Sequence, residues 1–282
     1  MSAPATESVP TEDGFWPGVP DAIYHADHDS LSSTGARKLL KSPYKFHWAQ
    51  GQPAEHAKHF DLGHYVHGLV LGVGAEVVVI DAASFNGKAA QAQRDEAYAE
   101  GKVPILAGWV DPAETMAQRV RDHHLAGSLL ANDDAQFELS AYFHDPLTGE
   151  RGRAKFDIFA PTGDWIVIGD VKTTSKSADP RTWSKTSGDL GYWIQDALYR
   201  IAAESLGAQN VDFVFVNVET EPPHLVSVTR HRPRAVELGR AKVREAFDLY
   251  HRCRQSDIWP DWGPGIHDVD LPSYIYYQEE AE

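Results

Sequence analysis

RAKFDIFAPTGDWIVIGDVK, running from Arg153 to Lys172, is the stretch whose reading decides the fold. Two apolar or alternating segments, Ala154–Ala160 and Trp165–Val171, flank a Pro-Thr-Gly-Asp turn, a pattern that predicts a β-hairpin. The hairpin carries Asp157, Asp170 and Lys172. Side chains along a strand repeat with period two, so Asp170 and Lys172 leave one face and Val171 the other. The run Trp165-Ile166-Val167-Ile168-Gly169 reads as a buried strand that delivers Asp170 into a protected place. A charge in such a place requires a partner. Two carboxylates and an ammonium in one small volume suit a divalent cation, because magnesium takes oxygen ligands and is usually held by one or two carboxylates plus waters and phosphates. Magnesium is the expected ion, with manganese as a substitute. Lys172 would orient an attacking water or offset charge on a phosphate. The same residues also occur on solvated sheet faces, and their spacing alone does not separate the two readings.

Outward from the hairpin, Phe137–Phe143 alternates like a strand with two different faces, and Glu138 on it is either a further metal ligand or a half-exposed charge. Thr148-Gly149 supplies the turn into the hairpin. On the other side, residues 173–191 are rich in Ser, Thr and Gly and read as a long surface loop, whose hydroxyls and ammonium groups suit a phosphate backbone. Tyr192–Leu206 reads as an amphipathic helix with Gln195 and Tyr199 on one face. Val211–Val218 and Leu225–Thr229 form a second strand pair, and Arg234–Gln255 a closing helix. Upstream, Ser32 or Ser33 caps a helix reaching Gln50, interrupted at Pro43. His56, His59, His64 and His67 are the densest histidines in the chain, the last two on a helix ending at Leu71. Gly63 and His67 stand one turn apart, so Gly63 would admit a close neighbour on the face His67 presents. Val77–Asp81 and Val103–Leu106 are short strands around a polar segment, and Pro112 opens a helix to Leu130 with Asp111 as its cap.

The 282 residues suffice for one large α/β domain with a substantial core. Residues 1–20 read as a flexible arm that docks through Phe15 and Trp16, residues 21–282 as a single domain ending in an aromatic tail with Trp259, Trp262, Tyr274, Tyr276 and Tyr277. No apolar run approaches a membrane span and the N-terminus lacks the pattern of a signal peptide, so a cytoplasmic protein is expected. The single cysteine, Cys253, leaves no internal disulfide and no four-cysteine iron–sulfur cluster. Lys and Arg total 26 against 41 Asp and Glu, a formal charge of −15 that runs against the basic footprint of most nucleic-acid binders. Nucleic acid responds to the local field of the groove it enters, and screening removes charges beyond roughly 8 Å. Arg37, Lys38, Lys41 and Lys45 on one helix, and Lys172, Lys176, Arg181 and Lys185 after the hairpin, are candidate phosphate contacts or solvated side chains.

Taken together, these words resemble the PD-(D/E)XK nuclease superfamily and within it the RecE-type exonucleases (exodeoxyribonuclease VIII), common in phages and prophages. The resemblance is carried by SLSSTGARKLLKSPYKFHW (Ser30–Trp48), the G-x-x-x-H helix in FDLGHYVHGLVLG (Phe60–Gly72), FELSAYFHDPLTGERGRAKFDIF (Phe137–Phe159) and the Q-x-x-x-Y helix in YWIQDALYR (Tyr192–Arg200), around the D…D-x-K of the hairpin. Asp170 stands where many members of the superfamily have Glu. The resemblance implies a restriction-endonuclease-like core, a central mixed sheet flanked by helices. It implies that Asp157, Asp170 and His67 hold magnesium, that Lys172 is catalytic, and that Gln195 and Tyr199 line the site, with Arg153, Thr173 and Lys176 beside it on the DNA path. It further implies hydrolysis of double-stranded DNA ends from 5′ to 3′, a ring-shaped homo-oligomer, and a single-strand annealing protein as partner in a bacterial host. A structure-selective endonuclease and a non-catalytic DNA-binding module are the alternatives.

Overall fold

The computed structural model describes residues 8–52, 61–273 and 275–276. In chain order it contains β1 (Gly14–Trp16), α1 (Asp21–Ala26), β2 (Ser30–Leu31), α2 (Ser33–Lys41), α3 (Pro43–Gln50), α4 (Asp61–Leu71), β3 (Val77–Ile80), α5 (Lys88–Ala99) and β4 (Val103–Leu106). There follow α6 (Val110–Asp122), α7 (His124–Leu130), β5 (Gln136–His144), β6 (Arg151–Thr162), β7 (Trp165–Thr174), α8 (Pro180–Leu190), α9 (Tyr192–Ser205), β8 (Val211–Glu219), β9 (Val226–Thr229) and α10 (Pro233–Ser256).

The sheet runs β1-β5-β6-β7-β8-β9, with β2 also paired to β6. It is mixed: β7 lies parallel to β8 and β2 parallel to β6, and the other neighbours are antiparallel. Helices cover both faces. On one, α2, α9 and α10 enclose a core that includes Phe156, Ile168, Phe213, Phe215 and Phe247. On the other, α4, α6 and α7 enclose Val66, Met116, Ile158, Val171 and Val216. The central position of β7 accounts for its apolar run, because Ile168 and Val171 enter opposite cores and residues 168–171 are buried. The architecture is therefore the α/β core with a mixed central sheet that the sequence leads one to expect. Among the described residues no helix is long and apolar enough to cross a membrane.

Several local features differ from the sequence reading, each for a physical reason. Residues 180–190 form helix α8 where a loop is expected. Asp179 accepts a hydrogen bond from the Arg181 N–H, Pro180 fills the first turn, and Trp183, Thr186 and Ser187 make one buried face. The hydroxyls on that face make the segment look solvated, but Ser187 Oγ lies 2.8 Å from His231 Nε2 and needs no water. The helix expected from Pro112 to Leu130 is two helices, broken at the extended His123, and Asp111 sits in the first turn of α6 without capping it. The polar segment 84–102 contains α5, which joins the parallel pair β3 and β4. Of the expected N-terminal arm, β1 pairs with β5 and Val19 is buried, so residues 14–19 belong to the folded unit. Residues 1–7, His56, His59, Tyr274 and Tyr277 lie outside the described residues. In the tail, Trp259 stacks on His47 at 4.5 Å between ring centroids, while Trp262 is exposed.

Candidate active site

The ladder between β6 and β7 ends at the pair Ile158–Gly169. Beyond it β6 turns toward β2 and β7 keeps only β8, so the next residues outward, Asp157 and Asp170, stand at a fork. The fork leaves the Val171 N–H without a strand partner, and it donates to Asp157 Oδ2 at 2.7 Å. On β5, Phe137 and Leu139 pair with Ile158 and Phe156, and Glu138 between them has φ 53°, in the left-handed region. That backbone is unfavourable for a residue with a Cβ, and here it occurs beside the carboxylate cluster.

Helix α4 closes the fork. Gly63 permits its approach: a Cβ there would lie 3.1 Å from Thr173 Oγ1 of β7. One turn later His67 Nε2 comes to 3.0 Å from Asp157 Oδ2 and 3.4 Å from Glu138 Oε1. One donor atom from each of His67, Glu138 and Asp157 lies within 4.8 Å of the others. Asp170 and Lys172 stand on the opposite side of β7 from Val171, with Asp170 Oδ2 at 2.5 Å from Lys172 Nζ. Gln195 Nε2 donates to Asp170 Oδ1 at 2.6 Å. The Asp170 carboxylate is 2% exposed, and its Oδ2 accepts no aligned hydrogen bond.

Charge explains the protonation states. Burial pushes Asp170 up to about 6, helped by Asp157 and opposed by Lys172. Burial acts on Asp157 in the same direction, but His67, Lys172 and the Val171 N–H hold it below the usual carboxylate range. For His67, burial favours the neutral ring, yet Asp157, Glu138 and Asp170 outweigh it and raise the pKa to about 9. Burial and Asp157 together lift Glu138 despite His67 and Lys155. The site thus sets three carboxylates against three cations, His67, Lys155 and Lys172. An imidazole and oxygen donors, with a buried carboxylate oxygen lacking an aligned donor, fit a divalent cation that replaces the His67 proton.

Sequence reasoning brings Asp157, Asp170, Lys172, His67, Glu138 and Gln195 to this place, and the structure brings them together. Thr173 is beside it, against α4. Tyr199 is not on the open side: its ring is buried between Phe156 at 5.3 Å and Phe213 at 5.8 Å, behind Gln195. Arg153 is likewise turned inward, donating to the Ser30 carbonyl at 2.5 Å and lying over the Tyr24 ring, so it is not placed to meet DNA. Lys176 is exposed on the loop after β7. Two neighbours escape the sequence reading. Lys155 binds Glu138 Oε2 at 3.1 Å and also contacts Asp21 of α1; its spacing of two from Asp157 was the available signal. Tyr192 lies under Lys172, whose Nζ is 5.1 Å from the ring centroid.

Comparison with known proteins agrees with this fold. No curated protein sequence matches the chain. Among solved structures, a candidate exonuclease from Eubacterium rectale superposes with a TM-score of 0.57 at 12% identity, covering 92% of this chain and 97% of that one. At that identity the likeness shows the fold. A phage related exonuclease from Haemophilus somnus gives a TM-score of 0.34 at 12% identity, covering 83% of this chain and 99% of that one. Residues 32–266 match the family described as "PDDEXK-like domain of unknown function (DUF3799)". That match includes α2, the fork and the helices around it, and the chain belongs to this PDDEXK-like family.

Proposed function

We propose that the chain is a metal-dependent exonuclease that hydrolyses phosphodiester bonds at double-stranded DNA ends from 5′ to 3′, with magnesium as the physiological ion and manganese able to replace it. The observation that carries the reading is the fork itself, where His67, Glu138 and Asp157 offer donors within 4.8 Å beside the Asp170–Lys172 ion pair. Its family supports a nuclease, and the name of the Eubacterium rectale structure supports the exonuclease form.

Asp157, His67 and Glu138 would hold the cation, with Asp170 completing the set. Bound there, a divalent cation supplies Lewis-acid polarisation of the phosphate and of the attacking water. Lys172 orients that water and offsets the charge that builds on the phosphate oxygens, and Asp170 keeps the ammonium in place. Gln195 holds the Asp170 carboxylate through Oδ1 and leaves Oδ2 to Lys172. Lys155 draws Glu138 toward α1 and sets how far its carboxylate reaches. By the same reading the protein acts in the cytoplasm of a bacterial host, as a phage or prophage component, forms a homo-oligomeric ring on DNA, and hands single strands to an annealing protein.

The test is digestion of end-labelled linear DNA and closed circular DNA, with magnesium or chelator, beside Asp170→Ala. Release of label from linear DNA alone, lost in chelator and in the variant, is the expected result. Cutting of closed circles would make the protein an endonuclease instead. Equal release by Asp170→Ala would remove the site assignment.

A further inference from the structure

Arg37, on α2, reaches across to the same Tyr192 ring that underlies Lys172; its Cζ is 5.8 Å from the ring centroid. Three neutral groups hold the guanidinium. Nη1 donates to the Leu190 carbonyl at 2.6 Å, Nη2 to Thr34 Oγ1 at 2.9 Å and Nε to the Ser33 carbonyl at 3.3 Å. A guanidinium has five N–H groups in a planar fork, so one N–H on each terminal nitrogen is left for another acceptor. That pair matches two oxygens of a phosphate.

The charge around Arg37 points the same way. The cations around the carboxylate cluster are paired: Lys172 has Asp170, Lys155 has Glu138 and Asp21, and Arg153 has Asp27. Among the described residues Arg37 has none within ion-pair distance, although the chain carries 41 acidic residues. Asp170 acts on this half-buried guanidinium only from beyond contact distance, so its free N–H groups have no anion of the protein to bind and suit one brought by the substrate. The surroundings are shaped to keep it there. Gly191, between α8 and α9, has φ 69°, and a Cβ on it would lie 2.8 Å from Arg37 Cδ. The Tyr192 ring gives the planar cation a face to rest on.

We propose that Arg37 binds a backbone phosphate of the DNA strand next to the one being cut, so that the guanidinium and Lys172 grip consecutive parts of the strand across Tyr192. This rests on the nuclease reading above and adds to it a substrate-binding residue outside the carboxylate cluster. The contact is to phosphate, so it confers grip without base preference.

The test is binding of a fluorescent duplex by the full chain in chelator, where no cleavage occurs, using wild type, Arg37→Gln, Arg37→Lys and Arg232→Gln. Arg232 borders a separate cavity with Trp165, at the other end of β7, and serves as the control. Arg37→Gln is expected to bind roughly ten- to a hundredfold more weakly, the worth of a charge-assisted contact. Its salt dependence should lose about 0.9 in log–log slope, one phosphate fewer. Arg37→Lys should recover part of the affinity and Arg232→Gln should match wild type. Methylphosphonates then neutralise one phosphate at a time: one position should weaken wild type and leave Arg37→Gln unaffected. If Arg37→Gln misfolds, Arg37→Lys carries the same comparison. Wild-type affinity in Arg37→Gln, or equal response of both proteins at every methylphosphonate, overturns the proposal while leaving the nuclease reading intact. Failure of wild type both to bind DNA and to cleave it with magnesium removes the nuclease reading, and the Arg37 contact with it.

Discussion

Glu138 gives the sharpest test of how the site is built, because two small substitutions there should reverse their ordinary order of stability. In a strand of regular geometry Ala is more stable than Gly by roughly 0.5–1 kcal/mol, since glycine loses more backbone freedom on folding. At φ 53° the Cβ is penalised by roughly 1–2 kcal/mol, which Gly escapes and Ala does not. Glu138→Gly should therefore be more stable than Glu138→Ala by up to about 1 kcal/mol, although both lose the same ion pair with Lys155. Relative to wild type, Glu138→Gly gains the strain relief and one fewer carboxylate beside Asp157, and loses the Lys155 and His67 contacts. These offset, and its urea midpoint should stay close to the wild-type one. Both variants should bind divalent cations more weakly, because the strained residue supplies a donor. Equilibrium urea unfolding of the metal-free proteins measures the first point and calorimetric titration with manganese the second. An Ala variant more stable than the Gly variant would refute the strained backbone, and unchanged manganese affinity would remove Glu138 from the ligand set.

Metal binding should release protons. His67 is protonated below about 9 in the metal-free protein, so an ion that takes its ring nitrogen must displace that proton, and affinity should rise between pH 7 and 9. Titration in buffers of different ionisation enthalpy measures the release; buffer-independent heats would contradict it. In the absence of metal the sign is opposite for stability. The His67 pKa is raised from 6.5, so its contribution is fully present below about pH 6.5 and is lost as pH rises through about 9, which unfolding curves of wild type and His67→Gln will show. Asp145, held below its ordinary pKa against burial by Arg244 and Thr148, contributes stability above the usual carboxylate range that disappears as the solution is acidified; Asp145→Asn should flatten that acid limb. Gly191→Ala should destabilise the protein by about 1–2 kcal/mol from its φ alone, and should weaken DNA binding by displacing Arg37.

Much of the site was legible because strand periodicity is a strict rule. Once Trp165–Val171 is a buried strand, Asp170 and Lys172 must share a face, and the hairpin turn brings Asp157 alongside. Gly63 and His67 follow from helical spacing in the same way. Periodicity does not report where paired strands separate, so the fork at which Asp157 and Asp170 stand could not be read. Nor could the left-handed Glu138, which belongs to a residue type that gives no sign of it. Composition misled in α8, where Thr186 and Ser187 face inward and Ser187 meets His231 within the protein. The resemblance placed Arg153 on the DNA path, whereas its guanidinium is buried and donates to Ser30, and Tyr199 stands behind Gln195 rather than on the open side. Arg37 was legible as a basic residue of α2, but its distinction from Lys38 and Lys41 depends on the junction of α8 and α9, where Leu190 and Tyr192 meet it.

Diffraction at the manganese edge from crystals soaked in that ion examines the central claim most directly. An anomalous peak bounded by His67 Nε2, Glu138 and Asp157, absent from Asp157→Ala crystals, is the result the geometry requires. A peak elsewhere on the surface, or an empty fork at saturating manganese, would mean that these carboxylates pair only with His67, Lys155 and Lys172 and hold no ion.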